Sequence, residues 1–109
     1  MIIVEKNEGQ KIDYEIQNTA TKKKITFDDD LTINLAKREE DWAVHIDVCY
    51  DEDENLVLGT AAGRAYVAEI DIPARRYNEE VDPEDPENTI LVPVPLDLDL
   101  VTLSLWSIE

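Results

Sequence analysis

The clearest pattern in the chain is an alternation of apolar and other residues from position 90 to position 105. Every even position from Ile90 to Leu100 is apolar, and the apolar set then moves to the odd positions, starting at Val101. A period of two residues is typical of a β-strand with one buried face, and no helix fits it. We predict one continuous extended element here, with a β-bulge near Leu100 that supplies the extra residue needed for the change of phase.

Two prolines, Pro93 and Pro95, lie inside this alternation. Proline has no backbone N–H, and residues two apart in a strand direct their backbone groups to the same lateral side. That side of the strand therefore cannot take part in a hydrogen-bond ladder. We predict an edge strand at 92–95 and a better-paired half at 101–106.

Shorter apolar runs mark the remaining strands. We predict them at residues 2–4, 11–17, 25–27, 31–35, 42–50, 56–58 and 66–72. The first two would pair as a hairpin across a turn at Gly9. A short helix is an alternative after Asp30 and after Thr60, but the alternation favours strands in both places. The pattern predicts an all-β fold, an antiparallel β-sandwich or partly open barrel of about seven to nine short strands with little or no helix.

The length of 109 residues indicates a single domain spanning 1–109, and its charge is strongly unbalanced. Ten Lys and Arg stand against 26 Asp and Glu, for a net charge of −16. Residues 1–24 carry five lysines and four carboxylates, so the rest of the chain holds −17. Binding to phosphate requires clustered Lys and Arg, so the composition argues against direct binding to nucleic acid or to an anionic membrane surface.

Cysteine content and the N-terminus indicate the compartment. Cys49 is the only cysteine, so no intrachain disulfide can form, and the four-thiolate zinc pattern is absent. The first residues lack the basic and apolar regions of a signal peptide, and no stretch approaches the roughly 18 apolar residues of a membrane span. We expect a cytoplasmic protein.

Residues 74–88 are predicted to form an acidic loop that contains Pro83 and Pro86. Six carboxylates make this segment the candidate partner-binding surface: Glu79, Glu80, Asp82, Glu84, Asp85 and Glu87. Long loops in compact domains are usually functional or mobile. A weak calcium site in this loop is an alternative. The other acidic turn, 51–55, lacks the glycine and the glutamate that a calcium loop requires at its sixth and twelfth positions.

A second candidate site lies on the predicted strand 42–50. His45, Asp47 and Cys49 occupy alternate positions, so they share one face, with neighbouring Cα atoms about 6.5 Å apart. Zinc accepts all three ligand types, and a Cys–His pair can act as a nucleophile. The alternative is an ordinary sheet face on which Cys49 acts as a small apolar residue. These three residues are the candidate metal ligands, and we expect no other cofactor.

Signatures of catalysis are missing elsewhere in the chain. It has no glycine-rich phosphate loop, no nucleophile elbow and no His-Glu-x-x-His motif. Asp97 and Asp99 are interpreted as solvent-facing residues that protect an edge strand. We therefore predict a non-enzymatic binding or assembly module that acts through acidic loops, an apolar edge strand, or both.

The predicted partner is a protein with a basic surface, or another copy of the chain bound through the C-terminal strand. Two alternatives stay open. The first is a metal-binding protein or metal-dependent enzyme that uses His45, Asp47 and Cys49. The second is an acidic mimic of nucleic acid, which would place its carboxylates in rows at phosphate-like spacing.

Overall fold

The computed structural model describes all of residues 1–109 and confirms the all-β fold. Ten strands form three sheets: β1 (Ile2–Glu5), β2 (Tyr14–Asn18), β3 (Lys23–Phe27), β4 (Leu31–Asn34), β5 (Val44–Tyr50), β6 (Leu56–Leu58), β7 (Ala65–Ile72), β8 (Tyr77–Val81), β9 (Thr89–Pro93) and β10 (Thr102–Leu105). The only helices are α1 (Leu35–Arg38) and a 3₁₀ turn (Leu98–Leu100). Of the two stretches that allowed a helix in the sequence, the one after Asp30 forms β4 and then the short helix α1, which Asn34 caps, so the predicted strand 31–35 ends one residue early. The stretch after Thr60 contains strand β7, as predicted.

The strands divide into a main sheet, a second sheet and a hairpin. The main sheet has the order β1-β10-β7-β5-β6, and all its pairs are antiparallel except β1 with β10. The second sheet has the order β2-β3-β4. The hairpin consists of β8 and β9 alone, and we call it, with its connecting tip (residues 77–93), the arm.

The hydrophobic core joins one face of the main sheet to the second sheet. Its 16 buried residues form one cluster, which includes Phe27 of β3, Ile33 of β4 and Ile70 of β7. Along β7, Ile70 and Ile72 are buried in this core, while Glu69 and Asp71 alternate with them on the opposite face. We call that opposite face of the main sheet its outer face. Burying each large apolar side chain contributes about 1.5–3 kcal/mol, so this cluster is the main source of stability.

A β-bulge interrupts the pairing of β5 with β7. Val48 pairs with Ala68 but Cys49 pairs with Tyr66, so Val67 is the extra residue. The bulge allows two consecutive residues, Val67 and Ala68, to be fully buried in the core. Beyond it, Cys49 and Tyr66 lie opposite each other on the outer face.

The prediction of one continuous C-terminal strand is wrong. β9 ends at Pro93, and the 3₁₀ turn Leu98–Leu100 separates it from β10. Asp97 caps this turn, because its carboxylate accepts the N–H of Asp99 at 2.9 Å. The turn, not the predicted bulge, changes the phase of the alternation, since successive side chains rotate by about 120° in a 3₁₀ helix and about 180° in a strand.

The predictions about edge and interior strands in this run are confirmed. Val94 donates its N–H to the carbonyl of Arg76 at 2.9 Å, so Pro93 and Pro95 face the unpaired side of the hairpin. β10 lies between β1 and β7 and is paired on both sides.

Three other local predictions need correction. β1 pairs with β10 and β2 pairs with β3, so the predicted hairpin of 2–4 with 11–16 does not form. Trp42 lies before β5 and is 64% exposed. Within 74–88, β8 occupies Tyr77–Val81, and only residues 74–76 and the tip are irregular. β8 has no buried face, so its sequence carries no alternation that would have revealed it.

Candidate functional site

A group of charged side chains lies on the outer face of the main sheet, where β5 and β7 are paired. His45 is the register partner of Asp71, and Asp47 is the partner of Glu69. The His45 Nδ1 atom lies 2.6 Å from Asp71 Oδ1, and Nε2 lies 2.8 Å from Asp47 Oδ1. Nε2 is also 3.5 Å from Glu69 Oε1. We call these four residues the His45 cluster.

Trp106 closes one side of this cluster. Its indole N–H donates to Glu69 Oε2 at 2.7 Å, and its ring packs against Tyr66 with 5.9 Å between the ring centroids. The other oxygen of Glu69 is the one that faces His45. The orientation of the Glu69 carboxylate is thus set by Trp106, which follows β10.

The carboxylates around His45 determine its charge. The hydrogen bond to Asp71, and then that to Asp47, raise the pKa of His45 above its ordinary value of 6.5, against a smaller opposing effect of burial. The side chain of His45 is 46% exposed, so solvent screens these interactions.

The stability of the metal-free protein should therefore depend on pH through His45. Because the folded-state pKa is raised, the stabilisation is fully present below pH 6.5 and is lost as the pH rises through the folded pKa. We expect wild type to exceed H45Q in unfolding free energy by less than about 1 kcal/mol at pH 6 and by less still at pH 9. Urea unfolding in EDTA at several pH values measures this difference. A difference that grew with pH would contradict the assignment.

Cys49 lies on the same face as His45 and Asp47, as its alternation predicts, but it is covered. It is only 2% exposed, and a β-carbon added at Gly63 would lie 2.7 Å from Cys49 Cβ. Burial, and then the charges of Asp47 and Glu69, raise the pKa of its thiol. A protonated, covered thiol is a poor nucleophile.

The structure brings Glu69, not Cys49, into a group with His45 and Asp47. One ligand-type atom from each of these three residues lies within 4.8 Å of the others. Sequence reasoning missed Glu69 and Asp71. Their alternation on the predicted strand 66–72 was visible, but nothing in the sequence identified that strand as the neighbour of 42–50.

The six predicted partner-binding carboxylates all lie on the arm. Asp82 and Asp85 shape the tip, because Asp82 accepts the N–H of Glu84 at 2.9 Å and Asp85 accepts the side-chain amide of Asn88 at 2.6 Å. The other four have no hydrogen-bond partner in the protein: Glu79, Glu80, Glu84 and Glu87. These four carboxylates are exposed to solvent and available to a partner.

Apolar side chains are interspersed with these charges along the arm. Leu91 is 63% exposed opposite Glu79, and Ile90 is 40% exposed opposite Glu80. Val81, next to the tip, is 62% exposed. Both faces of the arm are therefore open to solvent. This exposure, with molecular extents of 59 × 25 × 22 Å, indicates that the arm projects from the body.

The base of the arm is anchored to the segment before β5. Arg75 forms an ion pair with Asp41 at 3.2 Å and donates to the carbonyl of Glu39 at 2.9 Å. The hydroxyl of Tyr77 donates to Asp41 as well. These contacts hold the start of β8 against the body while the rest of the arm is exposed.

Comparisons with known proteins give no family assignment. The chain matches no protein-family model, no curated protein and no solved structure. No helix in the structure is both long enough and apolar enough to cross a membrane. The function has to be inferred from the chemistry of the arm and of the outer face.

Proposed function

We propose that this protein is a non-enzymatic binding module whose arm docks onto a partner protein with a basic surface. The observation that carries the proposal is the composition of the arm: exposed leucine, isoleucine and valine side chains lie among six carboxylates, with no lysine or arginine in residues 77–93. The acidic segment and the proline-bearing edge strand, two separate features of the sequence, belong to this one element.

The exposed apolar surface supports docking. A two-stranded hairpin is only marginally stable in water when it stands alone. Val81 and Leu91 each expose more than 60% of their surface without contributing to the core. An apolar surface surrounded by polar residues is typical of an interaction site. Burial of Leu91 and Val81 by a partner would stabilise both the complex and the arm.

The charge of the arm supports a basic partner. Six carboxylates within nine positions create a concentrated negative field that attracts lysine and arginine and repels acidic surfaces. Solution ions screen such charges beyond about 8 Å at physiological ionic strength, so the attraction acts mainly near contact. The anchored base lowers the entropy lost on docking, because the first residues of the arm are already ordered.

Site-specific photo-crosslinking in cells of the source organism tests this proposal. A benzoylphenylalanine at Leu91 should capture a partner protein with a lysine- and arginine-rich surface, identified by mass spectrometry. The matched control places the same residue at Gln17, which is exposed on β2. Identical adducts at both positions would contradict docking through the arm. A dimer of this 12.4 kDa chain would contradict a basic partner and indicate self-assembly.

An arm that has lost four of its six carboxylates provides the second test, with the captured partner purified. The variant E79Q/E80Q/E84Q/E87Q removes four carboxylates and leaves the two aspartates that shape the tip. We expect its affinity to fall at least tenfold at about 50 mM salt and to lose most of its salt dependence. Quadruple glutamine substitution that left both affinity and salt dependence unchanged would overturn the electrostatic part of the proposal.

A further inference from the structure

We propose that the outer face of the main sheet binds one divalent transition-metal ion, with zinc the best fit. The ligands are His45 Nε2, Asp47 Oδ1 and Glu69 Oε1, and Asp71 is the residue that orients the imidazole. This site is separate from the arm and independent of the function proposed for it.

Two of the three distances between the ligand atoms are close to those of a small-ion site, and all three atoms lie within 4.8 Å of one another. In a tetrahedral zinc site with bonds of about 2.1 Å, ligand atoms lie about 3.4 Å apart. Nε2 is 3.5 Å from Glu69 Oε1 and 2.8 Å from Asp47 Oδ1. The pair of Nε2 and Glu69 Oε1 already has the required separation. The pair of Nε2 and Asp47 Oδ1 has to widen by about 0.6 Å, which a small rotation of the exposed imidazole supplies.

Asp71 prepares His45 for this role. Its carboxylate lies 2.6 Å from Nδ1, so when an ion displaces the Nε2 proton that Asp47 accepts, the remaining imidazole proton stays on Nδ1 and the lone pair of Nε2 binds the ion. A carboxylate behind a ligating histidine is a recurring feature of zinc sites, where it fixes the tautomer and the ring orientation. Trp106 has a similar effect on Glu69, because it binds the oxygen that faces away from His45.

The charge of the cluster also favours a divalent ion. Three carboxylates surround one imidazole, so a protonated His45 leaves two negative charges uncompensated. An ion of charge +2 beside a neutral imidazole leaves only one negative charge uncompensated. Exposed ion pairs contribute at most about 1 kcal/mol, so stability alone gives little reason for three carboxylates to converge on one histidine.

The donor set selects among metals. One imidazole nitrogen and two carboxylate oxygens suit zinc and its neighbours, whereas calcium takes six to eight oxygen ligands. Cys49 is not a ligand, because it is buried against Gly63 and does not belong to the group of ligand atoms that lie within 4.8 Å of one another. The site therefore shares two residues with the trio predicted from the sequence and has Glu69 in place of the thiol. His45 is 46% exposed, so an ion can enter directly from solvent.

Zinc titration of the EDTA-treated and dialysed full chain tests the proposal. In a W42F background Trp106 is the only tryptophan, and its fluorescence should change on binding because it holds Glu69. Calorimetry should find one zinc ion per chain. We expect H45Q and E69Q to weaken zinc binding at least tenfold, and D71N to weaken it by about 10- to 100-fold, as changes behind a ligating histidine do.

Two control variants distinguish this site from a thiolate site and from loose binding to surface carboxylates. C49A should bind zinc as wild type does, and so should E52Q, which removes an exposed carboxylate elsewhere. The absence of saturable binding at millimolar zinc, or equal binding by H45Q and wild type, would overturn the proposal. Loss of binding in C49A would overturn the ligand assignment. Circular dichroism of each variant confirms that the fold is retained.

Discussion

Replacing Phe27 by alanine is expected to lower the free energy of unfolding by about 3–5 kcal/mol. Phe27 is fully buried and belongs to β3, the central strand of the second sheet. Its removal would leave a cavity where that sheet meets the main sheet. Domains of this size have a stability of about 5–15 kcal/mol, so F27A should lose a large part of it. Urea unfolding followed by circular dichroism measures the change.

The matched control is L91A on the arm. Leu91 is also a large apolar residue, but it is 63% exposed, so its truncation should change the unfolding free energy by less than about 0.5 kcal/mol. The comparison of F27A with L91A separates the effect of burial on the free energy of unfolding from the effect of residue type. If F27A unfolded within about 1 kcal/mol of wild type, the two sheets could not share the core described above.

Removal of the arm is expected to change the shape of the molecule strongly and its stability little. The design replaces residues 79–91 by Asn-Gly, a two-residue turn that suits the pair Asn78 and Val92. The base contacts of Arg75 and Tyr77 remain. The radius of gyration is 17.1 Å, whereas a compact domain of 100 residues has about 13 Å. Small-angle scattering should show a decrease towards that value.

The body should keep its melting temperature within a few degrees, because no residue of the arm belongs to the hydrophobic core. Binding of the partner captured at Leu91 should be lost in the same variant. Zinc binding should be unaffected, since the His45 cluster lies on β5 and β7. An unchanged radius of gyration would show that the arm does not project, and collapse of the body would show that it has a structural role.

Much of the strand content could be predicted from the sequence, but the elements without a buried face could not. β7 and β10 follow from their alternation, because each has one face in the core. β8 exposes both faces, so Tyr77–Val81 resembles a loop in the sequence. The 3₁₀ turn at Leu98–Leu100 is concealed for a different reason, since its leucines continue the period of two.

The candidate metal site, too, could be predicted only in part from the sequence. The shared face of His45 and Asp47 follows from their spacing alone, because side chains two apart in a strand point the same way. Glu69 joins them only because β7 pairs with β5 in one particular register. Cys49 has the correct spacing as well, but the packing of Gly63 against it removes it from solvent.

The amino-acid sequence by itself determined the all-β class, most strand positions, the acidic character of residues 79–87 and the unpaired side of Pro93. These properties are local, since they depend on side-chain period, charge and the missing proline N–H. Only the tertiary structure decided that β1 pairs in parallel with β10, that Glu69 and Asp71 surround His45, and that the acidic segment forms an arm. Strand partners and register depend on contacts between residues far apart in the chain, and a local pattern carries no information about which distant segment completes a sheet.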